Sequence, residues 1–467
     1  MTKIEFNRRE FLISASVVAG GMALGFAPAR AAADNSSLPW GPEGKQPNEI
    51  SPWIEIAPDD TVTFRVPTPE IGNGTITQVA MNLTEELNCD WSKVRVEYCS
   101  VTRDYIEKGT YTTGFLPFFG GHGTREDRMK VTLQLGASGR ERLKSAAAAR
   151  WKVPVAEIEA KNSVLTHTKT SRTLRYGEVA AEAAKIKFAQ EPAPKPHSEW
   201  TFLGKATPGR LHVPAVTRGE AVFGIDVKVP GMVHAALIQS PVHGGKLKSH
   251  NPEAVLKMPG VRAVVVLDPS KTKGTSHKPD TLFGLDDSLT QSGVAVIADH
   301  YWQAKRALDA LPMEWETGAG GAWTDEKKIY NAARELHNGA PEKVLVKAGD
   351  VAAVTKGKKI EAEYSTPYCE NSAMEPLNGT ACVTAEGVDV WCPTQDMRQA
   401  FWVAIHETGA EPEKVRVHPT LVGGGFGRRG SGDDVRMVVA VAKEYPGVPV
   451  KVIWSREETF RQGRFRI

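Results

Sequence analysis

A mixed α+β fold, built from strand–glycine loop–helix–strand units, follows from three observations in this 467-residue chain. "PEIGNGTITQVAMNLTEEL" runs from Gly72 and Gly74 into a helical spacing of Val79, Leu83 and Leu87, after a hairpin and before the strand "KVRVEY". "KVRVHPTLVGGGFGRRGSGDD" repeats that order late in the chain, with a helix over "VRMVVAVAKE" and a strand at "VPVKVIW". Between the two units, short strands alternate with one helix in a compact α+β segment.

The first 33 residues read as an export signal. "NRREFLI" places Arg8 and Arg9 ahead of a short, glycine-containing apolar run, and "ARAAAD" supplies small residues for cleavage. A twin-arginine signal, with Asn7 where serine is usual, implies a protein folded around a cofactor before export to the periplasm. A retained N-terminal anchor is the alternative, because signal and anchor differ only by degree.

Next comes the hairpin "SPWIEIAPDDTVTFRV", with Ile54 and Ile56 set against Val62, Phe64 and Val66. A third glycine cluster, "FFGGHGTRED", precedes the alanine-rich helix "RERLKSAAAARW". "AQEPAPKPHSEW" is a proline-rich linker, and "GAGGAWTDEKK" a second one. The expected divisions are 1–33 (signal), 34–205, 206–318 and 319–467.

Composition excludes several classes. The 58 Lys+Arg nearly balance 55 Asp+Glu and no basic run stands out, which argues against nucleic acid as a partner. Cys89, Cys99, Cys369, Cys382 and Cys392 form no CxxC pair, so no iron–sulfur or zinc ligand set can be assembled from them. "HETGA" lacks the second histidine of a zinc protease, and there is neither a GxSxG elbow nor a P-loop lysine. Gly425, Gly427 and Gly430 fit the dinucleotide fingerprint G-x-G-x-x-G. The acid at about the right distance, Glu444, however, lies in the helix and not at the end of a second strand. Glycine clusters of this density serve positive-φ turns or a close approach of backbone to a ligand, and they offer N–H groups to an anion.

Taken together, "GGGFGRR", "PEIGNG", "GEAVFGIDVKVPGM…AALIQSP", "AMEPLN", "WCPTQ" and "VIWSREE" resemble the large subunits of the molybdenum hydroxylases. The double arginine is similar to the exported branch of isoquinoline 1-oxidoreductase beta subunits and membrane-linked aldehyde dehydrogenases. The resemblance covers essentially the whole mature chain. It implies molybdopterin-binding domains around an inserted α/β-hammerhead domain at 206–318. It also implies a molybdenum–molybdopterin cofactor, including a cytosine-dinucleotide form, and an aldehyde or N-heteroaromatic substrate oxidised with water-derived oxygen. In this family the metal hangs from the pterin and not from the protein. The protein then supplies position and electrostatics.

Residue by residue, the resemblance places Phe426 and Gly427 against the metal's oxo side, within the loop Gly423, Gly424 and Gly425. Gln395 matches the glutamine that hydrogen-bonds the oxo group, and is otherwise a loop glutamine. Gly72, Asn73 and Gly74 would cradle the pterin, with Asn73 in place of a glutamine. Gly120, Gly121, Gly123 and Thr124 fall at a further cofactor loop, where His122 has no assigned part. Arg428 and Arg429 admit two readings: pairing with cofactor phosphate, or ion pairing with Asp433 and Asp434. Met374, Glu375 and Pro376 read as structural.

A [2Fe–2S] small subunit, with a cytochrome c as a further partner, is implied for carrying electrons away, and any membrane association would run through such partners. The family's glutamate base lies in a glycine-flanked motif near its C-terminus, and no G-x-G-E stretch occurs here. The polypeptide is therefore expected, on its own, neither to retain the cofactor nor to turn over substrate; it is a truncated product or is completed by a separate chain. Two other readings stand beside this one: an exported non-catalytic scaffold and a nicotinamide-dependent dehydrogenase.

Overall fold

The computed structural model describes residues 47–462 apart from 112–117, 122–124, 207, 282–283, 286–289, 351–352, 354–356, 359 and 369. Arg8, Arg9 and the rest of the signal lie outside the described residues, as do His122, Gly123, Thr124 and Cys369.

The N-terminal part is a four-stranded sheet of β1 (Glu49–Ser51), β2 (Ile54–Ile56), β3 (Val62–Val66) and β4 (Val94–Tyr98). The expected hairpin is present, with Ile54 opposite Phe64 and Ile56 opposite Val62. Strands β3 and β4 run parallel, which requires a crossover, and helix α1 (Thr75–Leu87) supplies it. Its buried Ile76, Leu83 and Leu87 face the sheet's Phe64 and Val66 in one core. The long helix α2 (Glu126–Trp151) packs on α1 at two glycines. A Cβ on Gly136 would lie 2.7 Å from that of Glu86, and one on Gly139 would lie 2.9 Å from Leu87 Cδ1. Small residues set the closeness of this helix pair.

After a three-stranded antiparallel sheet, β5 (Ile158–Lys161), β6 (Val164–His167) and β7 (Thr173–Arg175), the chain enters the proline-rich stretch. That stretch is strapped to α1. Glu85, fully buried, accepts the N–H groups of Thr201, Phe202 (2.7 Å) and Leu203 (2.9 Å) and pairs with Lys195, whose own N–H donates to Glu86. Proline content reports local stiffness; the anchoring comes from two acids over a hundred residues earlier.

The remainder forms a seven-stranded sheet. Its members are β8 (Val233–Gln239), β10 (Val261–Leu267), β11 (Gly293–Ala298), β13 (Asn378–Val383), β14 (Val388–Cys392), β15 (Val415–Pro419) and β16 (Val450–Ile453). Their order is β10-β11-β8-β16-β13-β14-β15, while β9 (Lys246–His250) pairs separately with β12 (Met313–Glu316). The division expected near residue 319 thus runs through a continuous sheet, because β8 pairs in parallel with β16. Alternation explains how one sheet serves two cores. Ala235, Leu237, Ala295 and Ile297 join the main core, whereas Ala236, Val294, Val296 and Ala298 join a smaller one under the Tyr301–Ala310 helix. Helices α3 (Met397–Thr408) and α4 (Asp433–Lys443) pack on each other and connect β14 to β15 and β15 to β16. Among the described residues no helix is long and apolar enough to cross a membrane.

Candidate functional site

Gln395 sits where two glycine stretches, at 118–121 and 421–430, meet. It follows β14 and directly precedes Asp396, whose side chain caps α3 by accepting from the N–H groups of Arg398 and Gln399 (both 3.0 Å). Gln395 is 3% exposed. Its N–H donates to the carbonyl of Arg429 (3.1 Å), its carbonyl accepts from Gly120 N–H (2.6 Å), and its Oε1 accepts from Gly427 N–H (2.8 Å). Burial pushes the neighbouring Asp396 carboxyl up to about 6, against the pull of the helix N–H groups and Arg398.

The loop at 421–430 can approach Gln395 only because it carries glycines. A Cβ on Gly425 would fall 2.5 Å from Gln395 Cδ, and one on Gly423 would fall 2.5 Å from Glu375 Cβ. Gly424 (φ 103°) and Gly427 (φ 90°) hold positive backbone angles, as does Phe426 (φ 52°), whose ring is 62% exposed. Asn371 Nδ2 donates to the Phe426 carbonyl (2.8 Å).

Residues 118–121 complete the junction. Phe119 bridges Asp396, and a Cβ on Gly120 would meet Ile71 Cγ2 at 3.1 Å and the Pro69 carbonyl at 3.2 Å. Thus Gly120 and Gly121 lie between the first loop and Gln395. In the first loop, Gly72 (φ 93°) and Gly74 (φ 83°) turn the chain into α1. Asn73 is exposed, and its Oδ1 accepts from the Thr75 hydroxyl (2.9 Å). Arg210, in the strap, donates to the Gly72 carbonyl (2.6 Å).

Five of the loop N–H groups that the glycine clusters offer to an anion have partners inside the chain. Buried Glu70 accepts from Gly72 N–H (2.8 Å), Gly74 N–H (2.9 Å) and Ile76 N–H (3.3 Å), acting as the cap that α1 lacks from Gly74. Glu375 accepts from Gly423 N–H (2.8 Å), and Gln395 takes that of Gly427. Glu70 stands in "PEIGNG" with no role assigned from the sequence. The signal available was an acid two residues ahead of a positive-φ glycine at a helix start.

Arg428 and Arg429 are also engaged internally. Arg428 makes a bidentate pair with Asp433 (2.7 and 3.0 Å) and donates to the Gln462 carbonyl (2.8 Å). Arg429, 0% exposed, donates to the carbonyls of Gly424 (3.0 Å) and Glu375 (2.7 Å). Of the two readings, this geometry is the ion-pairing one for Arg428, while Arg429 ties the loop to itself. Asp434 is buried with neither carboxylate oxygen hydrogen-bonded, and burial with Asp433 beside it pushes its carboxyl up to about 6. Glu444 lies just past the end of α4, away from the glycines, so it has no place in a dinucleotide site.

Cys89, Cys99 and Cys392 are buried free thiols, and burial pushes Cys89 up to about 12. Among the described residues no three His, Cys, Asp or Glu side chains gather as a metal site.

Residues 6–217 and 336–466 each match a profile described as a molybdopterin cofactor-binding domain. The first match contains the Gly72 and Gly120 loops, and the second contains Gln395 and the Gly423 loop. The chain belongs to the molybdenum hydroxylase family. It is 27% identical to the isoquinoline 1-oxidoreductase subunit beta of Brevundimonas diminuta over 99% of this chain and 61% of that one. Against the membrane-bound aldehyde dehydrogenase (pyrroloquinoline-quinone) of Gluconacetobacter polyoxogenes it is 28% identical over 98% of this chain and 57% of that one. The aldehyde oxidoreductase structure from Desulfovibrio gigas aligns with 84% of this chain and 41% of its own at 15% identity, with a TM-score of 0.42. The chain spans about three-fifths of the length of these two curated relatives.

The donor set fits a molybdopterin cofactor. The glycine backbones that close on Gln395 have no room for side chains, and the Phe426 ring stands outside them. Two cofactor-domain matches contribute to that one junction.

Proposed function

We propose that this chain is the cofactor-binding part of a periplasmic molybdenum hydroxylase. Its substrate is an aldehyde or an N-heteroaromatic, which presents an electron-poor carbon, and its electrons pass to a [2Fe–2S] partner subunit. The closure of Gly120 and the Gly423–Gly427 loop on Gln395, with Pro69 and Ile71 just ahead of the Gly72–Gly74 turn packed on Gly120, carries this reading.

Bound molybdopterin supplies the two-electron redox centre and the oxygen-transfer chemistry. The chain's own residues position it. Gln395 Oε1 is committed to Gly427 N–H, which leaves the amide NH₂ as the end that donates to an oxygen at the site. Phe426 offers an exposed ring on the loop that holds Gln395, as a wall for a planar cofactor or substrate. With Arg428 and Arg429 paired internally, a dinucleotide tail would draw on other groups.

Metal analysis after native purification tests the reading. Close to one molybdenum per chain is the expected result, and a metal-free protein that retains bound NAD would overturn it. Export is tested separately: changing Arg8 and Arg9 to Lys should hold the protein in the cytoplasm, because the exporter reads the paired guanidinium groups. Normal periplasmic accumulation of that variant would argue for another route. The iron–sulfur partner should co-purify, and reduction of an external acceptor by an iron-free preparation would remove the need for it.

A further inference from the structure

The Gly423–Arg429 loop closes around a side chain that the site's chemistry leaves unused. Glu375 lies just before β13 and is 7% exposed. Its N–H donates to the Gly423 carbonyl (3.0 Å), and its Oε2 accepts from Gly423 N–H (2.8 Å). At the other end of the loop, Arg429 Nη2 donates to the Glu375 carbonyl (2.7 Å). The second carboxylate oxygen, Oε1, accepts from Ile225 N–H and from Asn378 Nδ2, both at 3.0 Å. One residue therefore holds both ends of the loop, the start of β13 and the Gly224–Asp226 turn of the middle segment.

Only a carboxylate suits this place. It accepts at both oxygens, whereas a glutamine would turn an NH₂ group toward either Gly423 N–H or Ile225 N–H. The same chemistry recurs at Glu70, which gathers Gly72, Gly74 and Ile76 N–H groups at the first loop. Gly423 packs so closely on Glu375 that a Cβ there would lie 2.5 Å from Glu375 Cβ, so the approach is open only to glycine.

We infer that Glu375 is the positioning residue of the cofactor loop. Its carboxylate sets where Gly423 to Gly427 lie, and so where Phe426 and Gly427 stand relative to Gln395. The inference rests on reading the site as a molybdopterin cradle.

Glu375→Gln and Glu375→Asp, purified with their partners from the native host, supply the test. Two quantities are read: molybdenum per chain, and backbone amide exchange across residues 421–430. Glu407→Gln is the control, since Glu407 is an equally buried acid that pairs with Arg436 and Lys443 at the opposite end of α3. Loss of one charged hydrogen bond to the loop should speed its exchange about ten-fold and lower molybdenum content by a similar factor. Glu375→Asp should fall between the wild type and Glu375→Gln, and Glu407→Gln should change neither quantity even if its melting temperature drops.

Unchanged exchange at 421–430 in Glu375→Gln would overturn the inference. Faster exchange with undiminished molybdenum would overturn it too, because the loop would then be ordered by Glu375 without being positioned for the cofactor. If Glu375→Gln does not fold, Glu375→Asp carries the same two readouts with the charge withdrawn by one methylene. Absence of molybdenum from the wild type would instead count against the cofactor reading, and the exchange measurement would still decide the role of Glu375.

Discussion

At the first loop one carboxylate, Glu70, collects three N–H groups, while the outer side, with Gly72 and Asn73, faces solvent. At the second loop the anchors are two buried arginines, an acid at the start of α4, and Glu375 behind the glycines. Both loops turn on positive-φ glycines over a buried acid, yet only the second also has buried guanidinium groups beneath it. A carboxylate that gathers amides shapes a turn that can still adjust at its open face. A buried guanidinium in a bidentate pair, as Arg428 is with Asp433, cannot yield without stranding its partner. The second loop is therefore the rigid reference, and the first is the side that accommodates.

The largest expected effect tests that rigidity. Arg428→Ala would leave Asp433 buried without its bidentate partner, which should destabilise the fold by about 3–5 kcal/mol in denaturant titration. Replacing both partners with apolar residues, Arg428→Met with Asp433→Leu, should recover much of that loss. A cost below about 1 kcal/mol for the single change is what an exposed pair gives, and it would break the contrast between the loops.

Next in size is a pH dependence located in the first turn of α4, beside the second loop's arginines. Burial raises the Asp434 carboxyl to about 6, so the folded state holds this proton more tightly than the unfolded chain does. Stability from this group is full below the unfolded value near 4 and declines as pH rises to about 6, a total on the order of 2–3 kcal/mol. Asp434→Asn should remove that decline. Melting temperatures measured across pH 4 to 6 should therefore fall more steeply in the wild type than in the variant. Parallel profiles would mean that Asp434 ionises in the folded protein as freely as in water.

How much of this was legible beforehand depended on the range of the interactions. The hairpin of Ile54 and Phe64 and the helix from Thr75 announce themselves through local periodicity, and the structure has both. The three glycine clusters were visible as clusters, but not that they would meet, because Gly120 and Gln395 are joined by contacts that no local pattern encodes. For the same reason the pairing of β8 with β16 was hidden, and the middle segment looked more separate than it is. Glycine composition also suggested free amides. It could not show that Glu70, Glu375 and Gln395 occupy them, since a buried acceptor is recognised only by what surrounds it.

Third in order is Gly425→Ala. Its new Cβ would stand 2.5 Å from both Cδ and Oε1 of the buried Gln395 side chain, which would have to shift. Overpacking of this kind costs about 1–3 kcal/mol. The functional consequence should exceed the stability loss, because Gln395 would have to release Gly427 N–H. Molybdenum content in the purified complex is the measurement, and full retention would show that the Gln395–Gly427 contact is dispensable for cofactor binding.

The smallest effect belongs to the matching change in the first loop. Gly72→Ala meets nothing within 4 Å, so the only penalty is the backbone angle of φ 93°. For a non-glycine residue, a left-handed conformation costs roughly 1–2 kcal/mol. The amide that donates to Glu70 is kept, and Asn73 beside it remains exposed. The variant should therefore lose a modest amount of stability and keep its molybdenum, in contrast to Gly425→Ala. Side-by-side melting curves and metal analysis of the two variants measure the difference between the loops directly. If Gly72→Ala sheds the cofactor as completely as Gly425→Ala, the open face of the first loop is itself a tight contact surface for the cofactor, and the accommodating role assigned to that side is wrong.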